Sequence, residues 1–269
     1  MYARGLACLL LFMSAAVAAA PEPTQPTGKW TVEFADHDCI LARPYGTTAK
    51  DTLILAFRKL PMSTGISIDI FKSGGQRAWG GGKAELYFGV DEPIQTGFAA
   101  YLVTSGLRRI DLWVADDSYK QAVRSGFVQV RVPHEINKTF AVPGLGPALS
   151  LLDQCALNLG ELWGIPKDQQ MRVGKPAKMI NPYEVFHSSD YPDSAIREEA
   201  SGRIVLRYLV DEAGKPSDCL ILKSSGNRAL DSKSCTLLIR RARFDPAQDA
   251  GGTSMSSLGV MRIDWLLFN

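Results

Sequence analysis

The chain carries three histidines, His37, His134 and His187, and they bound the acid–base and nucleophilic chemistry open to it. His37 and Cys39 would share one face of a persisting strand and so form a Cys–His pair, but a thiol tied in a disulfide is no nucleophile. His187-Ser188-Ser189-Asp190 holds the residue types of a serine triad. Neighbours in sequence rarely converge in space, however, and no Gly-x-Ser-x-Gly elbow is present. Asp36, His37 and Asp38 could touch a metal ion, yet without a second histidine at ligand spacing they read as a solvated loop. Gly80-Gly81-Gly82-Lys83 has the glycines and lysine of a phosphate-binding loop. Ala84 stands where Ser or Thr is needed, so a turn between strands accounts for it better. Arg240, Arg241 and Arg243 complement the negative end of a helix. These readings leave no catalytic residue, no metal and no cofactor.

Residues 1–20 read as a secretory signal: Arg4, an apolar run from Leu6 to Val17, then small residues through Ala20. The 15 residues from Leu6 to Ala20 fall short of the roughly 20 that a membrane-spanning helix needs. Cleavage near Ala18 or Ala20 is expected, with an uncleaved anchor as the alternative. Cys8 leaves with the signal, and four of the five cysteines, Cys39, Cys155, Cys219 and Cys235, enter an oxidising compartment. No Cys-x-x-Cys spacing occurs, which disfavours a zinc knuckle or a redox pair and favours two structural disulfides.

The elements that would carry these residues form two groups. The 269 residues are 46% hydrophobic and 22% charged, an ordinary globular composition that excludes a disordered or polytopic membrane chain. With 30 Lys and Arg against 28 Asp and Glu, no excess of positive charge points to nucleic acid. Residues 21–28, with Pro21, Pro23 and Pro26, form a short leader; 29–165 and 183–269 are expected as two domains, and Pro166, Gly174, Pro176 and Pro182 mark a linker over 166–182.

The first domain alternates with period two at Trp30-Val32-Phe34, Ile66-Ile68-Ile70 and Val128-Val130-Val132, which predicts half-buried strands. A helix over Pro147–Trp163 turns Ala148, Leu152, Cys155, Leu159 and Leu162 inward. Cys155 then lies on the buried helix face and Cys39 ends the first strand, so these two are expected to pair. In the second domain Tyr191-Pro192 opens a short helix with Asp190 as its cap, Ala195 and Ile196 inward and Gly202 as the stop. A hairpin of Arg203–Asp211 and Ser217–Ser224 follows. A helix to about Arg241 then carries an inward Leu230, Cys235, Leu238, Ile239 and Ala242, and the last strand runs from Ser257 to Phe268. Cys219 and Cys235 both face the helix–sheet interface and are the second expected pair. The fold class is α+β, a β-rich N-terminal domain closed by a helix and an α-β-β-α-β C-terminal domain.

Six short motifs appear in order in that second domain: Tyr191-Pro192-x-x-Ala195, Gly202-x-Ile204-Val205, Val210-Asp211-x-x-Gly214-Lys215-Pro216, Lys223-Ser224-Ser225-Gly226-Asn227, Leu230-Asp231, and Arg243-Phe244-x-Pro246-Ala247. Together they resemble the C-terminal domain of TonB-family energy transducers. The resemblance implies a periplasmic, non-enzymatic domain that takes the TonB box of an outer-membrane receptor as an added strand, in TonB-dependent transport. Carried onto this sequence, the partner-binding candidates are Ser188, Ser189, Asp190 and Tyr191 before the helix, and Val260, Arg262, Asp264 and Leu266 on an exposed last strand. The implied partners are a TonB-dependent outer-membrane receptor or another envelope protein, with a homodimer through the last strand as a further option.

A typical transducer has an uncleaved N-terminal helix and a long proline-rich spacer. Here the apolar run is too short and only three prolines follow it, so contact with an inner-membrane motor is doubtful. Two other classes stay open: an envelope adaptor without energy coupling, and a ligand-binding or enzymatic first domain.

Overall fold

Alternating apolar and polar residues build most of this chain into strands, and the computed structural model describes residues 22–35, 38–46, 51–63, 65–74, 79–89, 92–104, 106–114 and 117–267. The expected signal over 1–20, the Asp36-His37 pair and Phe268 lie outside the described residues.

The first part contains β1 (Thr31–Ala35), β2 (Asp38–Pro44), β3 (Leu53–Lys59), β4 (Ile66–Ser73), β5 (Trp79–Tyr87), β6 (Ile94–Thr104), β7 (Leu107–Val114), the short α1 (Gln121–Ser125), β8 (Phe127–Val132), β9 (Ile136–Ala141) and α2 (Leu145–Leu162). The nine strands form one antiparallel sheet in the order β1-β2-β3-β4-β7-β6-β5-β8-β9. The expected leader joins the two ends of that sheet. Thr24 pairs with Phe140 of β9, and the Thr27 N–H donates to the Pro44 carbonyl of β2 at 2.9 Å. The inner face packs Leu41, Leu55, Phe57, Ile68, Ile70, Ile110 and Leu112 against Leu152 and Cys155 of α2.

Cys39 and Cys155 are bonded, as are Cys219 and Cys235. Cys39 lies in the second strand rather than ending the first, opposite Phe34 of β1 in the antiparallel pair. Gly80-Gly81-Gly82-Lys83 is not a turn but the body of β5, paired with Gly97–Ala100 of β6. A Cβ at Gly81 would stand 2.9 Å from the Trp79 ring, so the glycine lets that indole lie over the strand. Nor is β4 half-buried: Ser67 and Asp69 alternate with Ile66, Ile68 and Ile70, yet all five are buried. The outer face of β4 is covered by the second domain.

Residues 166–182 are not bare linker. They hold α3 (Lys167–Arg172), β10 (Val173–Lys175) and β11 (Lys178–Met179), and these last two pair with strands of the second domain. That domain continues with α4 (Pro182–Val185), α5 (Asp193–Arg197), β12 (Gly202–Val210), β13 (Pro216–Lys223), α6 (Arg228–Arg241), β14 (Phe244–Asp245), β15 (Ala247–Asp249), β16 (Ser254–Met255) and β17 (Ser257–Trp265).

Its main sheet has the order β13-β12-β17. One face buries Ile204, Leu206, Tyr208, Ile263 and Trp265 against Leu230, Leu237 and Leu238 of α6. The opposite face places Val205 and Val260 against Leu60 and Ile165 of the first part. The sheet is thus packed on both sides.

Local corrections follow the same physics. Asp190 is not the cap of α5, whose start carries no side-chain cap, because its carboxylate is taken by Arg241. That helix ends at Arg197, with Glu199 at φ +48° and the Ala200 N–H bonded to the Ala195 carbonyl, so Gly202 is the first residue of β12, not the stop. Leu162, the last residue of α2, and Ile196 are exposed rather than inward, whereas Ser234 and Leu237 join the inward stripe of α6.

Candidate partner-binding site

Among the described residues no strand pairs with the outer edge of β17. Which of its backbone groups face that edge follows from the register. The Asp211 N–H donates to the Lys215 carbonyl, and Leu209 pairs with Ser217 in the same phase, so odd-numbered residues of β12 bond toward β13. Even-numbered ones bond toward β17. Ile204, Leu206 and Tyr208 sit opposite Ile263, Met261 and Gly259. The N–H and C=O groups of Leu258, Val260, Arg262 and Asp264 therefore point away from the sheet.

This edge opens into a cleft of about 570 Å³. Every residue from Ser257 to Asp264 lines it, although successive side chains of a strand point to opposite faces. The cleft consequently runs along the strand edge and not over one face. On the helix side its wall is apolar, with Met179, Phe186 and Phe244; on the other side the first domain supplies Met62, Ser67 and Trp113.

The floor between the domains is ionic. Asp38 accepts from Arg58 at 2.6 Å, and Arg58 reaches Asp69 at 2.9 Å. Arg109 bridges Asp69 at 2.9 Å and Asp111 at 2.7 Å. Asp111 then meets Arg262 of β17 at 2.9 Å, Arg262 meets Asp264 at 3.4 Å, and Asp264 meets Arg203 at 2.6 Å. Burial, and next the charge of Asp69, push the Asp111 carboxyl up to about 6 against the pull of Arg262 and Arg109. Burial also works to raise Asp69, but Arg109 and Arg58 outweigh it and hold that carboxyl below the usual range.

The candidates from the sequence fall into three groups. Val260 is buried, and Arg262 and Asp264 are ion-paired at the domain interface, so these side chains are not on a free surface; their backbone groups face the cleft. Leu266 is exposed just beyond the strand. Ser188 and Ser189 are exposed in a 3₁₀ turn, Ser188–Asp190.

Asp190 is buried. It accepts from both Arg241 Nη atoms, at 2.5 and 2.9 Å, and from the His187 N–H at 3.0 Å, which commits its carboxylate to holding the turn. The Tyr191 hydroxyl donates to the Ala200 carbonyl, and its ring meets Trp265 edge-on at 5.1 Å. The two candidate segments therefore touch, but only at the end of β17.

Sequence reasoning missed the first-domain wall and residues 176–186. One signal was available: Trp113 occupies the polar phase of β7, where a tryptophan has no core to enter.

No curated protein matches the chain. Residues 187–266, however, match the family model described as the Gram-negative bacterial TonB protein C-terminal. That match spans α5, β12, β13, α6 and β14 to β17 and leaves out α4, β10 and β11; this part of the chain is a TonB C-terminal domain.

Proposed function

We propose that this protein is a non-enzymatic, periplasmic TonB-family partner that captures an extended segment of a TonB-dependent outer-membrane receptor as a strand on β17. The observation that carries this reading is the β17 edge of a TonB C-terminal domain, unpaired among the described residues, with four residues directing N–H and C=O groups into a cleft of about 570 Å³. Unpaired strand edges are templates for another chain.

The test compares Asp264→Pro with Asp264→Ala. Both lose the ion pair to Arg203, but only proline removes the outward N–H. Binding of a receptor TonB-box peptide should fall with proline and persist with alanine. Equal binding by the two variants would place the peptide elsewhere.

The same reading includes export and removal of residues 1–20. A mature start at Ala19 or Pro21 would leave Thr24 and Thr27 in place to join the ends of the first sheet. N-terminal sequencing of the protein fractionated from its host checks this. A soluble mature form supports the role of envelope adaptor, and an inner-membrane form beginning at Met1 supports energy transduction.

A further inference from the structure

Resting on that reading, we propose that the first domain is one wall of the peptide site: a captured receptor segment lies between the β17 edge and Trp113, with every second side chain in the apolar pocket of Met179, Phe186 and Phe244. Three observations support it. The outward backbone groups of β17 open into an interdomain cleft rather than into bulk solvent. The indole of Trp113, 43% exposed, stands on the strand that also carries Asp111, the partner of Arg262.

The third observation concerns asymmetry. A strand added to β17 must alternate its side chains between the two faces of the sheet. One set falls among Met179, Phe186 and Phe244 and gains by being apolar. The other faces Ser67, Trp113 and the Asp111–Arg262 pair, where a small or polar side chain avoids stranding buried charge. The occupant so defined is an extended peptide with apolar residues at alternate positions.

The Asp69–Arg109–Asp111–Arg262 chain fixes the distance between the walls. Specificity would then be shared between a TonB-type edge and a domain outside that family match.

The test uses the full, oxidised chain and fluorescein-labelled synthetic TonB-box peptides of about ten residues, long enough to follow the edge at ~3.3 Å per residue. Trp113→Ala should weaken binding about tenfold with the fold intact by circular dichroism, as expected for loss of an aromatic anchor. Phe186→Ala and a peptide whose alternate apolar residues are changed to serine should each give a similar loss. If Asp264→Pro abolishes binding while Trp113→Ala and the serine peptide bind as before, the first domain is a bystander and this inference fails alone. If no peptide binds the unaltered protein, or Asp264→Pro and Asp264→Ala bind alike, the strand-addition reading fails and takes the inference with it.

Discussion

Asp111 on β7 and Arg262 on β17 form an ion pair of 2.9 Å between residues 151 positions apart in sequence. The pair answers a problem within the first domain. Asp69 and Asp111 face each other directly across β4 and β7, an arrangement that destabilises a sheet when both are charged. Arg109 touches both, Arg58 also holds Asp69, and Arg262 brings Asp111 a second cation from the other domain. Docking of the TonB-type sheet therefore completes the charge balance of the first sheet.

Removing that second cation should be costly. Arg262→Met leaves Asp111 with Arg109 alone, and breaking a mostly buried pair should lower stability by about 2–3 kcal/mol, read from urea unfolding. Asp111→Asn in the same chain should restore part of the loss. Equal midpoints for Arg262→Met and the unaltered protein would mean that the pair contributes nothing.

The pH dependence has a definite sign. The Asp111 carboxyl is raised from 3.8 to about 6 on folding, so the folded state holds this proton more tightly than the unfolded chain. Its contribution to stability is full below pH 3.8 and is lost as pH rises through 6. Asp69, lowered on folding, acts oppositely: its contribution is present above the ordinary carboxylate range and lost in acid. The stability of Asp111→Asn minus that of the unaltered protein should therefore rise between pH 4 and 6 by about 2–3 kcal/mol and then level off. A flat difference over that interval would contradict the buried, charge-crowded setting of Asp111.

Much of the second domain was legible because its elements obey local rules. Ile204, Leu206, Tyr208 and Val210 alternate as a strand should, and all are buried. Both cysteine pairs followed from which faces would be turned inward. What was not legible depends on domain docking. Asp69 and Ser67 look like the solvent side of β4, Arg262 and Asp264 like the solvent side of β17, and nothing local says that these surfaces meet. The reading of Gly80-Gly81-Gly82-Lys83 as a turn failed for a related reason, since Gly80 to Gly82 serve Trp79 and β6 within β5. Phase along the strand was informative at one further level: Val260, Arg262 and Asp264 share the parity whose backbone faces outward, although their side chains do not lie free.

The two disulfides should differ in weight. Cys39–Cys155 closes a separation of 116 residues and Cys219–Cys235 one of 16. In the chain-entropy model their removal should cost about 4–5 and about 3 kcal/mol respectively. Paired Cys→Ala variants, unfolded in urea, give the comparison. A larger loss from the short loop would show that native packing around α6, rather than restriction of the unfolded chain, sets the effect.

The end of β17 should behave as a coupled unit. The Trp265 indole N–H donates to the Ser234 hydroxyl at 2.9 Å, and Ser234, fully buried in α6, donates in turn to the Leu230 carbonyl at 2.9 Å. Tyr191 packs edge-on against the same indole, so this bond also supports the turn that precedes α5. Ser234→Ala leaves a buried N–H without its acceptor and should cost about 1–3 kcal/mol. Trp265→Phe removes the donor but opens space beside Tyr191. With both changes no polar group is stranded, so the double variant should be more stable than the sum of the single losses predicts, by about 1 kcal/mol. Strict additivity would mean that Ser234 and Trp265 act independently. In that case Tyr191 alone would tie the 188–191 turn to the strand that the receptor segment is proposed to join.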